Sequence, residues 1–126
     1  MFKSVAGIIK KENKFYLGKR KPGGSIGNKW EFPGGKVEPN ESLTDALVRE
    51  YLEELSVNIT VKDFITTKPF KHNTQEFILH AFYVDLNSYN IKMNEHTEFN
   101  WFTLDELKAL GDAMADSDRL LLNDIK

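Results

Sequence analysis

The chain has no cysteine and three histidines in 126 residues. The first absence rules out disulfides and thiolate metal sites, and a zinc site would need more than three scattered histidines. Any bound metal is therefore expected to be held by oxygen. No excess of positive charge is present either: 17 basic residues face 19 acidic ones, for a formal net charge of −2. That balance argues against charge-driven binding to duplex DNA or acidic membranes. No apolar run approaches the roughly 20 residues that span a bilayer. The opening segment MFKSVAGIIKKENK has no long apolar stretch and no small-residue cleavage site, so it does not read as a secretory signal. A cytoplasmic protein is the expectation. With no linker, repeat or low-complexity segment, one domain over residues 1–126 is expected.

The composition is that of an ordinary globular protein, 40% hydrophobic and 29% charged. Ser4 to Ile9 reads as a strand, and Phe15 to Lys19 as a second, joined through the polar turn Lys11 to Lys14 into a hairpin. Lys21 to Asn28, rich in Gly and Pro, reads as a loop. Trp30 to Phe32 reads as a short strand ended by Pro33-Gly34-Gly35. Ser42 to Leu55 reads as a helix, with Asn40 and Ser42 as candidate caps. Val57 to Lys68 and Glu76 to Leu86 are rich in β-branched and aromatic residues and should pair through Lys71 to Gln75. Phe99 to Thr103 reads as a strand, and Asp105 to Leu110 and Asp116 to Ile125 as helices. Strands dominate, with one helix early and helices late, so an α+β class or a helix–sheet–helix sandwich is expected.

The helix carries the most informative residues. Glu50, Glu53 and Glu54 fall within an arc of about 100° at helical pitch, beside a core face of Leu47, Val48, Tyr51 and Leu55. Like charges at this spacing repel, and partly desolvated carboxylates are costly unless a cation offsets them. A hard divalent cation such as Mg²⁺ does so, keeping waters and substrate phosphates in its shell. A solvated acidic face is the alternative for this helix taken alone. The glycine turn Pro33-Gly34-Gly35 just before it exposes main-chain groups to a ligand.

Taken together, Gly35, five residues, Glu41, seven residues and Arg49-Glu50-Tyr51-Leu52-Glu53-Glu54-Leu55-Ser56-Val57 resemble the Nudix box, GX5EX7REUXEEXGU, where U is a bulky aliphatic residue. Every charged position matches at its spacing. Trp30 to Glu38 is similar to the MutT-type subgroup. Two residues depart: Tyr51 stands where an aliphatic residue is usual, and Ser56 where Gly usually supports a left-handed helix cap.

The resemblance implies a Nudix-like α/β/α sandwich with a mixed sheet between helices. It also implies a Mg²⁺-dependent pyrophosphohydrolase, with Mn²⁺ as a possible substitute. Metal ligation falls to Glu50, Glu53 and Glu54 with the Gly35 carbonyl, Arg49 orients the carboxylates, and Glu41 supports them. Glu95 matches a loop carboxylate that serves as metal ligand or base, with Glu98 as its alternative. His96 reads as a polar loop residue that could act as a base. Arg20 matches a basic position on the phosphates, and Lys36 could reach them too. Glu31, Phe32 and Phe77 are candidate substrate contacts; Phe77, Phe82 and Tyr83 otherwise read as core. Asp116 matches a position that reads the nucleobase, where an ionised carboxylate only accepts hydrogen bonds. The expected substrates are (d)CTP-type or oxidised (d)GTP nucleotides, hydrolysed to a monophosphate and pyrophosphate. ADP-ribose, nucleotide sugars or dinucleoside polyphosphates are the alternatives, as is a non-catalytic nucleotide-sensing module. Neither nucleic acid nor membrane is an expected partner, and a monomer or a homodimer is expected.

Overall fold

The computed structural model describes residues 2–126; Met1 lies outside the described residues. Its strands and helices are β1 (Phe2–Ile8), β2 (Lys10–Lys11), β3 (Lys14–Arg20), β4 (Trp30–Glu31), β5 (Gly34–Lys36), α1 (Leu43–Leu55), β6 (Ile59–His72), β7 (Gln75–Leu86), β8 (His96–Thr103), α2 (Leu104–Leu110) and α3 (Asp116–Arg119), with a 3₁₀ helix at Gly111–Ala113.

The larger sheet has the order β5-β1-β7-β6. It is mixed: β1 runs parallel to β7 and antiparallel to β5, and β7 runs antiparallel to β6. Alternation along β1 and β7 divides the core in two, because successive side chains leave opposite faces of a strand. Val5, Ile9, Phe82 and Val84 face Leu47, Tyr51 and Leu55 of α1. Ala6, Ile8, Leu79 and Ala81 face Leu107, Leu121, Leu122 and Ile125 from the C-terminal elements. Helical layers therefore cover both faces of the mixed sheet, the expected α+β sandwich. The smaller sheet centres on β3, which pairs with β2, β4 and β8. Among the described residues no helix is long and apolar enough to cross a membrane.

Four local expectations are corrected. Ser4 to Ile9 and Phe15 to Lys19 do not form a simple hairpin: β1 belongs to the larger sheet, and it is Lys10 and Lys11 after it that pair with the start of β3. The chain changes sheets at Ile9, whose carbonyl still accepts from the Tyr16 amide. Gly34–Lys36 is a strand rather than only a turn, because Gly34 packs its backbone directly against Val5; a Cβ there would collide with the Val5 carbonyl. The last helix stops at Arg119. Beyond it the amides of Leu121, Leu122 and Asp124 bond carbonyls three residues back, the tighter 3₁₀ spacing, which still buries Leu121, Leu122 and Ile125. The late strand begins at His96, three residues earlier than expected.

Helix α1 starts at its Ser42 cap, whose hydroxyl accepts from the Asp45 amide. It ends at Ser56 in the left-handed region, φ 55° and ψ 40°. Tyr51, large for its place in the box, fits because Gly7 lies beneath it: the Tyr51 hydroxyl donates to the Gly7 carbonyl at 2.9 Å.

Candidate active site

Arg49 is the hub of the helix's polar face. Its guanidinium donates to both oxygens of Glu41, at 2.7 and 3.0 Å, and to the Lys36 carbonyl at 2.9 Å. It also reaches Glu50 at 2.9 Å and Glu53 at 3.3 Å. One side chain thereby locks β5, the loop before α1 and two helix carboxylates together. These bonds, Glu41 first, hold the Arg49 guanidinium further above its ordinary range and the Glu41 carboxyl below its own. With its donors committed, Arg49 is an organiser rather than a free ligand for substrate.

Behind it a cleft of about 490 Å³ lies between the turn at Gly34, α1 and α3, with Arg20, Glu31, Glu50, Glu54, Phe77 and Asp118 in its lining. Glu50 sits against Gly35, where any Cβ would strike its carboxylate. Glu54 is 7% exposed, and its Oε1 has no hydrogen-bond partner. Its Oε2 lies 3.4 Å from Arg20 Nη1, which also lies 3.3 Å from Glu31 Oε2. Burial first, and Glu31 next, push the Glu54 carboxyl up to about 9. Burial likewise raises Glu50. Four buried or half-buried acids, Glu31, Glu50, Glu54 and Asp118, thus share a cleft with one guanidinium.

That arrangement fits a divalent cation. An orphaned carboxylate oxygen is available, the Gly35 backbone is bare enough to approach, and the donors are hard oxygens. Glu31, Glu54 and His96 form a group whose ligand atoms lie within 4.8 Å of one another. His96 brings a nitrogen that the oxygen-only expectation did not include. Its Nε2, however, is committed to Glu31 Oε2 at 2.8 Å.

The other expected residues divide. Lys36 lines the cleft and holds its ammonium 5.4 Å from the centre of the Phe77 ring. Phe77 lines the cleft stacked on Phe70, centroids 5.1 Å apart. Phe32 lines it too, and its amide donates to Asp118 Oδ2 at 2.9 Å. Glu53 is exposed and does not line the cleft. Glu95 is exposed but adjoins the site through Arg20, 3.8 Å away. Glu98 is exposed on β8 opposite Lys19. Phe82 belongs to the α1 side of the core, and Tyr83 bonds the Lys126 backbone, so neither meets the cleft.

Asp116 is the expected residue that the structure moves out of the site. Its side chain is 84% exposed and lies 3.6 Å from Arg119 on the outer surface. Asp118 takes the inner position: it is buried and lines the cleft. Burial, with Glu31 adding to it, raises the Asp118 carboxyl well above its ordinary value. The sequence held a signal for this. Asp118 is in helical phase with Leu121, Leu122 and Ile125, all buried, whereas Asp116 is in phase with exposed Leu120 and Asn123. His96 is likewise corrected: it is 1% exposed rather than a loop residue in water. No periodicity marks it, because it opens β8 at the irregular register beside Arg20.

The description NUDIX domain is matched over residues 1–123. A CTP pyrophosphohydrolase of Escherichia coli (strain K12) is 35% identical over 122 residues, 97% of this chain and 89% of that protein. An 8-oxo-dGTP diphosphatase of Buchnera aphidicola subsp. Schizaphis graminum is 36% identical over 104 residues, 82% of this chain and 78% of its own length. The solution structure of the E. coli ORF135 protein superposes with a TM-score of 0.83 at 34% identity, over 98% of this chain and 87% of that one. By its fold, its intact carboxylate box and these likenesses, the chain belongs to the Nudix hydrolase family.

Proposed function

We propose that this protein is a Mg²⁺-dependent nucleoside triphosphate pyrophosphohydrolase acting on (d)CTP-type or oxidised (d)GTP nucleotides in the cytoplasm. The observation that carries the reading is the buried, partnerless Glu54 oxygen, set among Glu31 and Glu50 in a cleft that also holds Arg20 and Lys36. The relatives named for CTP and 8-oxo-dGTP hydrolysis support the choice of substrates.

Glu50, Glu53 and Glu54, with the Gly35 carbonyl, are the groups we assign to the cation, with Glu95 beside them. When bound, Mg²⁺ (or Mn²⁺) neutralises phosphate charge and orients the attacking water. Arg20 and Lys36 supply positive charge for the phosphates, and the planar Arg20 guanidinium suits bidentate contact. Glu95, free of tight pairing, accepts the proton of the attacking water. Water adds at the β-phosphorus, and its bond to the oxygen of the nucleoside monophosphate breaks, giving the monophosphate and pyrophosphate. Arg49 and Glu41 hold the carboxylates in place.

The base lies in the apolar part of the cleft, beside Phe77 and Phe32. Asp118, rather than Asp116, reads its edge. Burial favours the protonated form of Asp118, and a protonated carboxyl donates as well as accepts, which suits an amino, keto or ring-nitrogen pattern.

Hydrolysis in ¹⁸O-labelled water tests this reading. Label recovered in pyrophosphate supports attack at the β-phosphorus. Label in the monophosphate refutes that step, and no Mg²⁺-dependent turnover refutes the assignment.

A further inference from the structure

Four carbonyls at the C-terminal end of any α-helix have no partner within the helix. In α1 these belong to Leu52, Glu53, Glu54 and Leu55. The Ser56 amide takes the first at 3.0 Å. All the others are taken by the segment that leads to β8. Lys92 N–H donates to Leu55 at 2.8 Å, and Asn94 N–H to Glu54 at 3.1 Å. The Asn94 side-chain amide donates to the Glu53 carbonyl at 2.9 Å and also to Ser56 Oγ at 3.2 Å.

Asn94 therefore grips two consecutive residues of the carboxylate box by their backbone. The residue after it, Glu95, carries the loop carboxylate, whose own carbonyl accepts from Lys21 N–H at 3.1 Å next to Arg20. The grip coincides with the box's second departure. Ser56 adopts the left-handed conformation that favours glycine, φ 55°, and its hydroxyl is one of the two oxygens that the Asn94 side chain binds.

We propose that Asn94 is a positioning residue that clamps the Glu95 loop to the end of α1 and so sets the spacing between Glu95 and the carboxylates of Glu53 and Glu54. The inference rests on the metal assignment proposed above. Asn94 touches neither substrate nor cation; it acts through the backbone of residues that do. Ser56, whose side chain has replaced the usual hydrogen, shares the clamp but is not needed for it.

The test is Mn²⁺ binding by calorimetry to the whole protein without nucleotide, alongside its melting temperature. Asn94→Ala keeps the backbone bond to Glu54 and removes both side-chain bonds. Mn²⁺ affinity should fall about 10-fold, in line with the loss of groups that orient metal ligands, and the melting temperature should drop. The KM for nucleotide at saturating metal should stay within about twofold, since phosphate and base contacts are untouched. Adding Ser56→Gly relieves the left-handed strain, so the double variant should recover its melting temperature while Mn²⁺ affinity stays low. This background also keeps the protein folded for the measurement. Recovery of Mn²⁺ affinity together with stability would mean that Asn94 only caps the helix, and overturns the inference. Unchanged Mn²⁺ affinity in Asn94→Ala, with normal binding by the wild type, overturns it alone. A wild-type protein that takes up no Mn²⁺ overturns the metal assignment and this inference together.

Discussion

Asp118 Oδ2 accepts a hydrogen bond from the Phe32 amide at 2.9 Å, joining α3 to the turn that follows Glu31. This bond uses one carboxyl oxygen for architecture and leaves the other to the cleft. Asp118→Asn can keep the bond to Phe32 through its carbonyl, so the fold should survive. The change should alter the ratio of kcat/KM between cytidine and guanine nucleotides by about 10-fold, the scale of 1–3 kcal/mol for a base-edge contact. Asp116→Asn, on the exposed surface, should leave that ratio and the stability unchanged within about 0.5 kcal/mol. An equal loss on all bases from Asp118→Asn would remove the base-reading role.

Removing one oxygen ligand of the cation should be far more damaging than removing a base contact. Glu54→Gln and Glu53→Gln should each lower kcat by about 100-fold or more, since metal stabilisation is worth several kcal/mol at 1.36 kcal/mol per tenfold. Circular dichroism should show both variants folded. Near-normal turnover in Glu53→Gln, an exposed residue outside the cleft lining, would take that residue out of the metal site.

Glu54 should also make the metal-free protein sensitive to pH. Its folded carboxyl lies up at about 9 against an ordinary 4.5, so the folded state holds the proton more tightly than the unfolded one. Its contribution is complete below pH 4.5 and is lost as pH rises toward about 9. In chelator, the melting temperature should therefore decline between pH 6 and pH 9. Mg²⁺ should reverse the decline, and Glu54→Gln should flatten it. The same slope in wild type and Glu54→Gln would contradict the assignment.

Gly7 and Tyr51 fill one volume between them. A Cβ on Gly7 would come within 2.6 Å of the Tyr51 hydroxyl oxygen. Gly7→Ala should cost about 1–3 kcal/mol by overpacking, measured by urea unfolding. Adding Tyr51→Leu, the residue type usual at that place in the box, should recover part of the loss. No recovery in the double variant would mean the strain lies elsewhere.

Much of this candidate site is legible in the sequence, for a physical reason. The carboxylates assigned to the metal lie on one helix, and helix geometry turns sequence spacing into spatial neighbours, so Glu50, Glu53 and Glu54 group from spacing, whereas Glu41, in the loop before α1, enters through the family resemblance. The pairing of β1 with β5 and β7 does not follow from spacing, because it depends on contacts far apart in sequence and on a sheet change at Ile9. The same holds for Glu31 and His96, 65 residues apart, whose hydrogen bond follows from the way β4 and β8 flank β3. Asp116 lies outside the cleft because its neighbour two positions on, not it, shares the buried phase of the last helix. Asn94 carried no signal, since its role is to satisfy helix carbonyls that exist only once the chain has folded.

The most direct measurement is pyrophosphate and phosphate release from CTP, dCTP, 5-methyl-dCTP, dGTP, 8-oxo-dGTP, ADP-ribose and a dinucleoside polyphosphate, each with and without Mg²⁺. The account predicts Mg²⁺-dependent pyrophosphate release, concentrated on a cytidine triphosphate or on 8-oxo-dGTP. Turnover confined to ADP-ribose or the dinucleotide, or nucleotide binding without turnover of any substrate, would contradict it.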